Sequence, residues 1–394
     1  MKYKVQLAVS TIDSGDLDSV IECLKSGDLT MGRKVKEFEA KFAEYLGAKD
    51  AVMVNSGSSA NLLALNTFSN PLEEKHLSPG DEVIVPAVTW STTVFPVLQA
   101  GCTPVFVDCD QDYQMDAQKL NEVITEKTRA IIPTHILGNV CDMERINKLA
   151  KENDLYVLED NCEALGSRYK GKYVGTIGDM GTYSFYFSHH ITTIEGGMLV
   201  SNNEDLIDTA RVMRHHGLVR DSNKKSDYIK RFPNIDSRFM FINTGFNLRP
   251  TELNAVLGIT QLSKLGGIID ARKRNAKKLI DALQQYEDYL LLPGEKSDTS
   301  HSWFAFPITV KPNSLFKRED LIEFLEKSSV ETRPLVAGNL VEHPIFLSGK
   351  IPFKKGDLTM ANIVMRNSFY FGIHQDVDVD YLIKVFDKFF DQLK

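Results

Sequence analysis

The chain has 394 residues, of which 43% are hydrophobic, and its formal net charge at pH 7 is −7. This length and composition suffice to bury a large core and exclude a mainly disordered protein. The acidic charge, with no dense tract of lysine and arginine, excludes the positive field that nucleic-acid binding requires, so we expect a small-molecule partner.

Membrane and disulfide signals are missing from the sequence. No stretch approaches the about 18 consecutive apolar residues of a membrane span, and residues 1–16 carry no signal-peptide pattern. The five cysteines contain no CxxC pair and are odd in number, which argues against a disulfide framework and against a metal finger. We therefore expect a cytoplasmic protein with reduced cysteines, no membrane association and no metal site.

Between residues 50 and 210, short apolar runs alternate with helical segments. The runs are AVMV (51–54), DEVIVPA (81–87), TPVFVD (103–108), RAIIPTH (129–135), LYVLED (155–160) and TYSFYF (182–187). This alternation is typical of an α/β fold with a mostly parallel central sheet flanked by helices on both faces. Ligands of open α/β sheets bind beyond the carboxyl ends of the strands, so we expect the functional residues there.

The pattern changes after residue 250. A long helical segment (251–286) precedes a predicted strand (302–310), a predicted helix (318–329) and a closing amphipathic helix (379–393). We therefore predict a large cofactor-binding domain over residues 1–250. Residues 251–394 are predicted to form a long connecting helix and a smaller C-terminal α/β domain.

Two segments in the first half have the chemistry of a ligand site. AVMV is followed by a Gly/Ser turn and a helix start, where the backbone N–H groups of Gly57, Ser58 and Ser59 suit a phosphate. Asp160 ends the strand LYVLED, and its carboxylate could hold a pyridinium nitrogen protonated. Both segments have a simpler interpretation, because serine turns and aspartates after strands commonly cap helices without binding any ligand.

Five segments together resemble a known family across nearly the whole chain. They are NSGSSANLLAL (55–65), PAVTWSTT (86–93), LEDNCEALG (158–166), GTYSFYFSHHITTIEGGM (181–198) and GFNLRPTELNAVLGITQL (245–262). In order and spacing they resemble the sugar aminotransferases that act on nucleotide-linked ketosugars. The resemblance implies an aminotransferase fold of type I, pyridoxal 5'-phosphate (PLP) as the cofactor, and a homodimer with shared active sites.

The chain departs from that family at one position. The family carries a lysine that forms a Schiff base with PLP, whereas this chain has His189 there and no lysine between Lys172 and Lys224. Imidazole offers no primary amine for a Schiff base, so the cofactor would be held without a covalent bond. The histidine resembles that of a subgroup, the ketosugar 3-dehydratases.

This subgroup implies a particular reaction. It is the lyase-type C3 dehydration of a nucleotide-linked 4-keto-6-deoxy sugar, with GDP-4-keto-6-deoxymannose as the substrate by similarity, in the colitose branch of lipopolysaccharide O-antigen biosynthesis. L-glutamate would convert PLP to pyridoxamine phosphate. A related CDP-sugar enzyme needs an iron–sulfur cluster that is bound by closely spaced cysteines. This chain has no such group of cysteines, so we expect no iron–sulfur cluster.

The resemblance also implies roles for individual residues. His189 would act as base and then as acid, with a pKa near the usual value of about 6.5. The other implied roles are phosphate binding by Gly57, Ser58 and Ser184, ring stacking by Trp90, the ring-nitrogen contact by Asp160, a contact on the ring-hydroxyl side by Glu163, binding of the neighbouring subunit's cofactor phosphate by Asn247, and substrate binding by His216 and Arg249.

Three alternatives stay open at this point. A 4-aminotransferase acting on the same type of substrate would need a lysine at position 189. A non-catalytic PLP-binding protein would keep the fold without the reaction, although the retained Asp160, Glu163 and phosphate seat argue against such decay. Trp90 could also be an ordinary core residue.

Overall fold

The computed structural model describes residues 3–393 of the chain. Its strands, in chain order, are β1 (Asp50–Val54), β2 (Glu82–Pro86), β3 (Thr103–Val107), β4 (Thr128–Ile131), β5 (Tyr156–Asp160), β6 (Arg168–Tyr169), β7 (Lys172–Tyr173), β8 (Met180–Ser184), β9 (Gly197–Ser201), β10 (Leu290–Leu291), β11 (Thr299–Ser300), β12 (Phe306–Val310), β13 (Thr332–Pro334), β14 (Lys354–Lys355) and β15 (Ser368–Phe371). Its helices are α1 (Ser14–Ser26), α2 (Arg33–Leu46), α3 (Gly57–Phe68), α4 (Ser91–Gln99), α5 (Leu120–Val123), α6 (Met143–Glu152), α7 (Glu204–Arg214), α8 (Lys225–Arg231), α9 (Glu252–Leu262), α10 (Leu265–Leu283), α11 (Arg318–Lys327), α12 (Pro344–Leu347), α13 (Thr359–Asn367) and α14 (Val379–Asp391).

The central sheet has eight strands in the order β1-β9-β8-β5-β4-β2-β3-β14. Neighbours from β8 through β14 run parallel, whereas β9 is antiparallel to both β8 and β1. The predicted mostly parallel sheet is confirmed, and each of the six predicted runs contributes a strand. The sequence analysis did not predict β9, whose first residue, Gly197, lies against the turn that precedes α3.

Helices cover both faces of this sheet, as strand periodicity requires. Val83 and Val85 of β2 pack into one core with residues of α3 and α4. Ile84, which points to the opposite face, packs into another core with residues of α6. The strands are buried on both faces, which explains why they read as continuous apolar runs.

The prediction of one long helix over residues 251–286 is wrong. The segment forms two helices, α9 and α10, with a break at Ser263 and Lys264. The Lys264 Nζ lies 2.5 Å from Asp13 Oδ2 and 2.6 Å from Asp16 Oδ2, which fixes the break against α1. The pair Gly266 and Gly267 in the first turn of α10 further weakens helix continuity.

A second sheet, in the order β10-β12-β15-β13, forms a separate core with α10, α11 and α14. The predicted strand at 302–310 and the two predicted helices at 318–329 and 379–393 are confirmed by β12, α11 and α14. Val5 packs in this second core, and β14 returns to pair with β3 of the large sheet. The division at residue 250 stays a prediction. No helix within residues 3–393 is long and apolar enough to cross a bilayer.

Candidate active site

A cavity of about 530 Å³ lies at the carboxyl ends of β5 and β8. This volume is in the range of small-molecule and cofactor sites. Residues from both parts of the chain line it, namely Ser56, Gly57, Ser58, Trp90, Thr92, Thr134, Ile136, Asp160, Cys162, Glu163, Ser184, Tyr186, Ser188, His189, Glu195, Phe304, Arg333, Pro334, Val336 and Tyr370. Seven predicted site residues are therefore brought together: Gly57, Ser58, Trp90, Asp160, Glu163, Ser184 and His189.

The first wall of the cavity is the start of α3, a helix of 12 residues. Ser56 caps the helix by accepting from the Ser59 N–H, while the exposed Ser58 side chain donates to Thr92 Oγ1 at 3.2 Å. A Cβ on Gly57 would lie 2.6 Å from the Ser184 Cβ, which is closer than real contacts allow. Glycine is thus required for the helix start to approach β8, and this approach places two hydroxyls and the positive helix end on one side of the cavity.

The floor of the cavity is Asp160, the buried last residue of β5. Its Oδ2 accepts from Asn61 Nδ2 at 2.8 Å and from Thr93 Oγ1 at 2.7 Å. Its Oδ1 accepts from the Cys162 N–H at 3.1 Å. Three donors from three different segments therefore fix the carboxylate in one orientation at the cavity.

Glu163 lies on the same wall, three residues further along the chain. Its Oε2 accepts from the Leu137 N–H at 2.8 Å. Burial raises the pKa of Glu163 to about 7, with a smaller upward contribution from the negative charge of Asp160. Near neutral pH this carboxyl group is therefore divided between its two protonation states, and the protonated form can donate a hydrogen bond to a ligand oxygen.

His189 lies in the loop after β8, and its ring faces the cavity. The ring centroids of His189 and Phe304 are 5.0 Å apart with an interplanar angle of 49°. Its buried Nδ1 has no hydrogen-bond partner within residues 3–393. The expectation of an ordinary pKa is wrong, because burial lowers the pKa of His189 to about 4. The imidazole is accordingly neutral at pH 7 and has a free lone pair for a proton.

This depressed pKa makes a prediction about stability. In the unfolded chain His189 titrates near 6.5, so between pH 6.5 and about 4 the unfolded state binds a proton that the folded state does not. The free energy of unfolding of the cofactor-free protein should therefore fall with decreasing pH in this window more for the wild type than for His189→Asn. Urea unfolding at several pH values measures the difference between the two proteins; a difference that is constant from pH 7 to pH 4 contradicts the assignment.

Trp90 stands at the mouth of the cavity, in the position before α4. Its side chain is 59% exposed, which contradicts the alternative that it is an ordinary core residue. An exposed indole is costly to leave in water and offers a flat apolar face. Ring stacking by Trp90 stays a prediction, and its exposure leaves the indole free to make such a contact.

Three predicted site residues lie outside the cavity, in a separate cluster. The Arg249 Nε donates to Asn247 Oδ1 at 2.9 Å, and the Arg249 Nη1 is 3.2 Å from His215 Nε2. The neighbouring His216 is exposed and has a φ of 62°, in the left-handed region that residues other than glycine seldom adopt. The structure of one chain therefore does not bring His216, Asn247 and Arg249 to His189, and their roles stay predictions.

Several cavity residues were not predicted as site residues. Phe304, Arg333, Val336 and Tyr370 come from the second half of the chain and close the cavity from the side of the smaller sheet. Two further segments of the sequence, SHSWFAF (300–306) and RPLVAGN (333–339), also resemble those of the ketosugar 3-dehydratases, and this resemblance was the available signal. Their place in the site depends on the packing of the two sheets, which the sequence pattern does not reveal.

The residues present fit PLP or pyridoxamine phosphate. The start of α3 at Gly57, together with the hydroxyls of Ser58 and Ser184, suits a phosphate. The fixed carboxylate of Asp160 suits a protonated ring nitrogen. No lysine is among the described residues that line the cavity, so no primary amine is available to bond the cofactor. The donor set thus matches a cofactor that is bound without a covalent link.

The chain is similar to known proteins over almost its whole length. The model of the DegT/DnrJ/EryC1/StrS aminotransferase family matches residues 10–390. A GDP-4-keto-6-deoxy-D-mannose 3-dehydratase of Yersinia pseudotuberculosis is 39% identical over 382 residues, covering 96% of each chain. The structure of the E. coli GDP-4-keto-6-deoxy-D-mannose-3-dehydratase with bound hydrated PLP has a TM-score of 0.90 at 36% identity, covering 98% of this chain and 100% of that one.

A further solved structure is that of a GDP-4-keto-6-deoxymannose-3-dehydratase with a trapped PLP-glutamate geminal diamine. It has a TM-score of 0.90 at 36% identity and covers 97% of this chain and 99% of that one. These matches confirm the type I aminotransferase fold that the sequence motifs imply. The chain therefore belongs to the DegT/DnrJ/EryC1/StrS aminotransferase family.

Proposed function

We propose that this chain is a lyase that removes the C3 hydroxyl of a nucleotide-linked 4-keto-6-deoxy sugar. The substrate is GDP-4-keto-6-deoxymannose, the sugar named in the similar enzymes, and the product is GDP-4-keto-3,6-dideoxymannose. Glutamate supplies the amine and two electrons, and it leaves as 2-oxoglutarate while ammonia is released. The observation that carries the proposal is the composition of the cavity. His189 lines it, no lysine of the described residues does, and the other lining residues suit PLP.

Several residues of the cavity would hold the cofactor. The phosphate is assigned to the α3 start with Ser58 and Ser184, the ring nitrogen to Asp160, and the ring face to Trp90. When bound, pyridoxamine phosphate supplies a primary amine for the C4 ketone and a ring that accepts electrons. The fixed Asp160 carboxylate favours the protonated ring nitrogen by opposite charge, which makes the ring a better electron acceptor.

His189 moves the protons of the reaction. His189 lines the cavity, and its neutral imidazole would accept a proton at a ring nitrogen. The imidazolium then returns this proton to the 3-hydroxyl oxygen, so that water rather than hydroxide leaves. Phe304 and the half-buried position of His189 limit the access of bulk water to the ring.

The reaction products test this proposal against the two alternatives. The purified protein is incubated with PLP, glutamate and GDP-4-keto-6-deoxymannose, and the products are analysed by mass spectrometry and an ammonia assay. We expect a 3-deoxy sugar nucleotide with an equal amount of ammonia. A 4-amino sugar nucleotide without ammonia would identify an aminotransferase, and no change in the PLP absorbance with glutamate would identify a non-catalytic binding protein. Parallel reactions with CDP- and dTDP-linked sugars test the nucleotide.

The proposed assembly is a homodimer with shared active sites. Asn247 and His216 are exposed and lie outside the cavity of their own chain. The adjacent segment exposes large apolar side chains, with Phe239 at 71% and Phe241 at 61%. Exposed apolar patches of this kind are typical of interaction surfaces, and a second copy would cover them while bringing Asn247 to the other cavity.

A mixed dimer tests the shared site. His189→Asn and Asn247→Ala, each expected to be strongly impaired as a homodimer, are co-expressed with two different tags and the doubly tagged species is purified. One cavity of this heterodimer has both native residues if Asn247 acts across the interface, so about half of the wild-type activity should return. Activity no higher than that of the separate variants would mean that Asn247 acts within its own chain.

A cytoplasmic location and a role in deoxysugar and O-antigen biosynthesis complete the proposal. All five cysteines are free thiols, and four of them are buried. Unpaired buried cysteines are typical of proteins in a reducing compartment. A GDP-linked substrate and glutamate as a co-substrate fit the same compartment.

A further inference from the structure

The residue after His189 is a second histidine for which the proposed reaction has no use. His190 is fully buried, and its Nε2 lies 3.0 Å from the backbone oxygen of Ser302. Because a carbonyl oxygen only accepts, the Nε2 carries the hydrogen. The Nδ1 is buried without a partner within residues 3–393, so His190 is a neutral imidazole that donates to one backbone carbonyl.

Arg272 of α10 is an unusual buried cation behind the same segment. It is only 2% exposed, and burial alone, with no carboxylate of residues 3–393 acting on it, lowers the pKa of its guanidinium. Its Nη1 donates to the backbone oxygens of Trp303 at 3.0 Å and Phe304 at 2.8 Å. Burying a charge without a counter-ion lowers the stability of the folded state. The presence of Arg272 here therefore calls for an explanation, and its contacts with the two carbonyls suggest one.

Three consecutive carbonyls, at residues 302, 303 and 304, are thus fixed by two buried donors from different parts of the chain. Trp303 has a φ of 55°, a left-handed conformation that is rare for a large aromatic residue. Strained backbone of this kind persists only where its surroundings determine it, and such sites cluster around active sites. The Phe304 N–H donates to the Leu137 oxygen at 2.9 Å, which ties the segment to the wall that carries Glu163.

The result of these constraints is the position of the Phe304 ring. It lines the cavity, with its centroid 5.0 Å from that of His189 and 5.9 Å from that of His190. Phe304 is therefore the apolar surface against which the ring of His189 rests. A shift in the 302–304 backbone would move this surface and leave the His189 ring free to rotate or to become hydrated.

We propose that His190 and Arg272 are positioning residues that hold Phe304 against His189 and so keep the imidazole in one orientation for proton transfer. The proposal rests on the proposed function, because it assigns His189 the proton transfer. Neither residue needs to touch substrate or cofactor. Their contribution is to fix the distance and angle of a general base, for which small displacements have large kinetic effects.

Substitutions at the two anchors test the proposal. His190→Leu and Arg272→Met each remove one anchor, whereas His190→Gln retains an N–H donor for the Ser302 oxygen. We expect kcat to fall by about ten- to a hundredfold in the first two variants with little change in KM for the sugar nucleotide. His190→Gln should recover most of the activity. Lys273→Met is the matched control, because Lys273 belongs to the same helix and binds Ser300 Oγ of the same loop at 2.5 Å.

A measurement without turnover separates this proposal from the proposed function. The ring of His189 is titrated by NMR in the cofactor-free protein, where the charged groups acting on it are Asp160 and Arg272. In Phe304→Ala, a variant that keeps both His190 and Arg272, the pKa of His189 should rise towards 6.5 because water reaches the ring. His190→Leu should also raise the pKa of His189. Folded variants in which both kcat and the His189 titration match the wild type would overturn the positioning role. If the variants shift the titration of His189 but the wild type itself forms no 3-deoxy product, the proposed function is overturned and the positioning role is not.

Discussion

Replacing His189 by asparagine should lower kcat for C3 deoxygenation by about 10²–10⁴-fold, the usual contribution of a general acid–base residue. Asparagine keeps a polar side chain of similar reach but has no nitrogen that accepts and returns a proton near neutral pH. Steady-state assay of the 3-deoxy product with saturating glutamate measures the effect. Because His189 is not assigned a contact with the phosphate or the ring nitrogen, PLP binding measured by absorbance should change little.

A histidine outside the site provides the control. His76 is half-buried, does not line the cavity and has its Nδ1 2.9 Å from the Glu73 oxygen. His76→Asn should keep kcat within about twofold of the wild type, as expected for a substitution away from the reaction. Dehydration by His189→Asn at a rate close to that of the wild type would show that another group moves the protons.

Replacing Asp160 by asparagine should have the second large effect. The substitution keeps the size of the side chain but removes the charge that we assign to the ring nitrogen of the cofactor. Breaking a buried ion pair in this way costs about 3–5 kcal/mol. We therefore expect the Kd for PLP to rise by at least about a hundredfold, as measured by absorbance or fluorescence titration.

Thr93→Val separates charge from orientation at this position. It removes the donor that lies 2.7 Å from Asp160 Oδ2 but leaves the carboxylate charge and the Asn61 contact in place. Because the lost hydrogen bond orients the carboxylate and does not touch the cofactor, the expected weakening of PLP binding is about tenfold or less. An Asp160→Asn protein that binds PLP as tightly as the wild type would remove Asp160 from the site.

The parts of the site that follow strand ends could be predicted from the sequence. Gly57 comes shortly after β1 and Asp160 is the last residue of β5, and the ends of strands in a mostly parallel sheet meet on one edge. His189 came from a family motif rather than from periodicity, because a lone histidine in a loop has no pattern of its own. Its lowered pKa was not predictable, since it depends on burial of the ring, and contacts such as that with Phe304 come from far along the chain.

Contacts between distant segments account for most of what the sequence did not reveal. Phe304, Arg333 and Tyr370 lie in or next to strands of the smaller sheet, yet they line the same cavity as residues from the ends of β5 and β8. The break between α9 and α10 likewise depends on Lys264, which contacts the carboxylates of Asp13 and Asp16 at the start of α1. Local propensity does not contain such information, because the interactions that decide the outcome lie far apart in the chain.

The absence of a covalent link between protein and cofactor is the central claim, and borohydride reduction followed by intact-protein mass spectrometry tests it most directly. Borohydride fixes a Schiff base between PLP and a lysine as a stable secondary amine. For the PLP-loaded wild type we predict the mass of the unmodified chain, and for His189→Lys a mass increased by one pyridoxyl phosphate group. A wild-type protein that carries this added mass on a lysine would contradict the account.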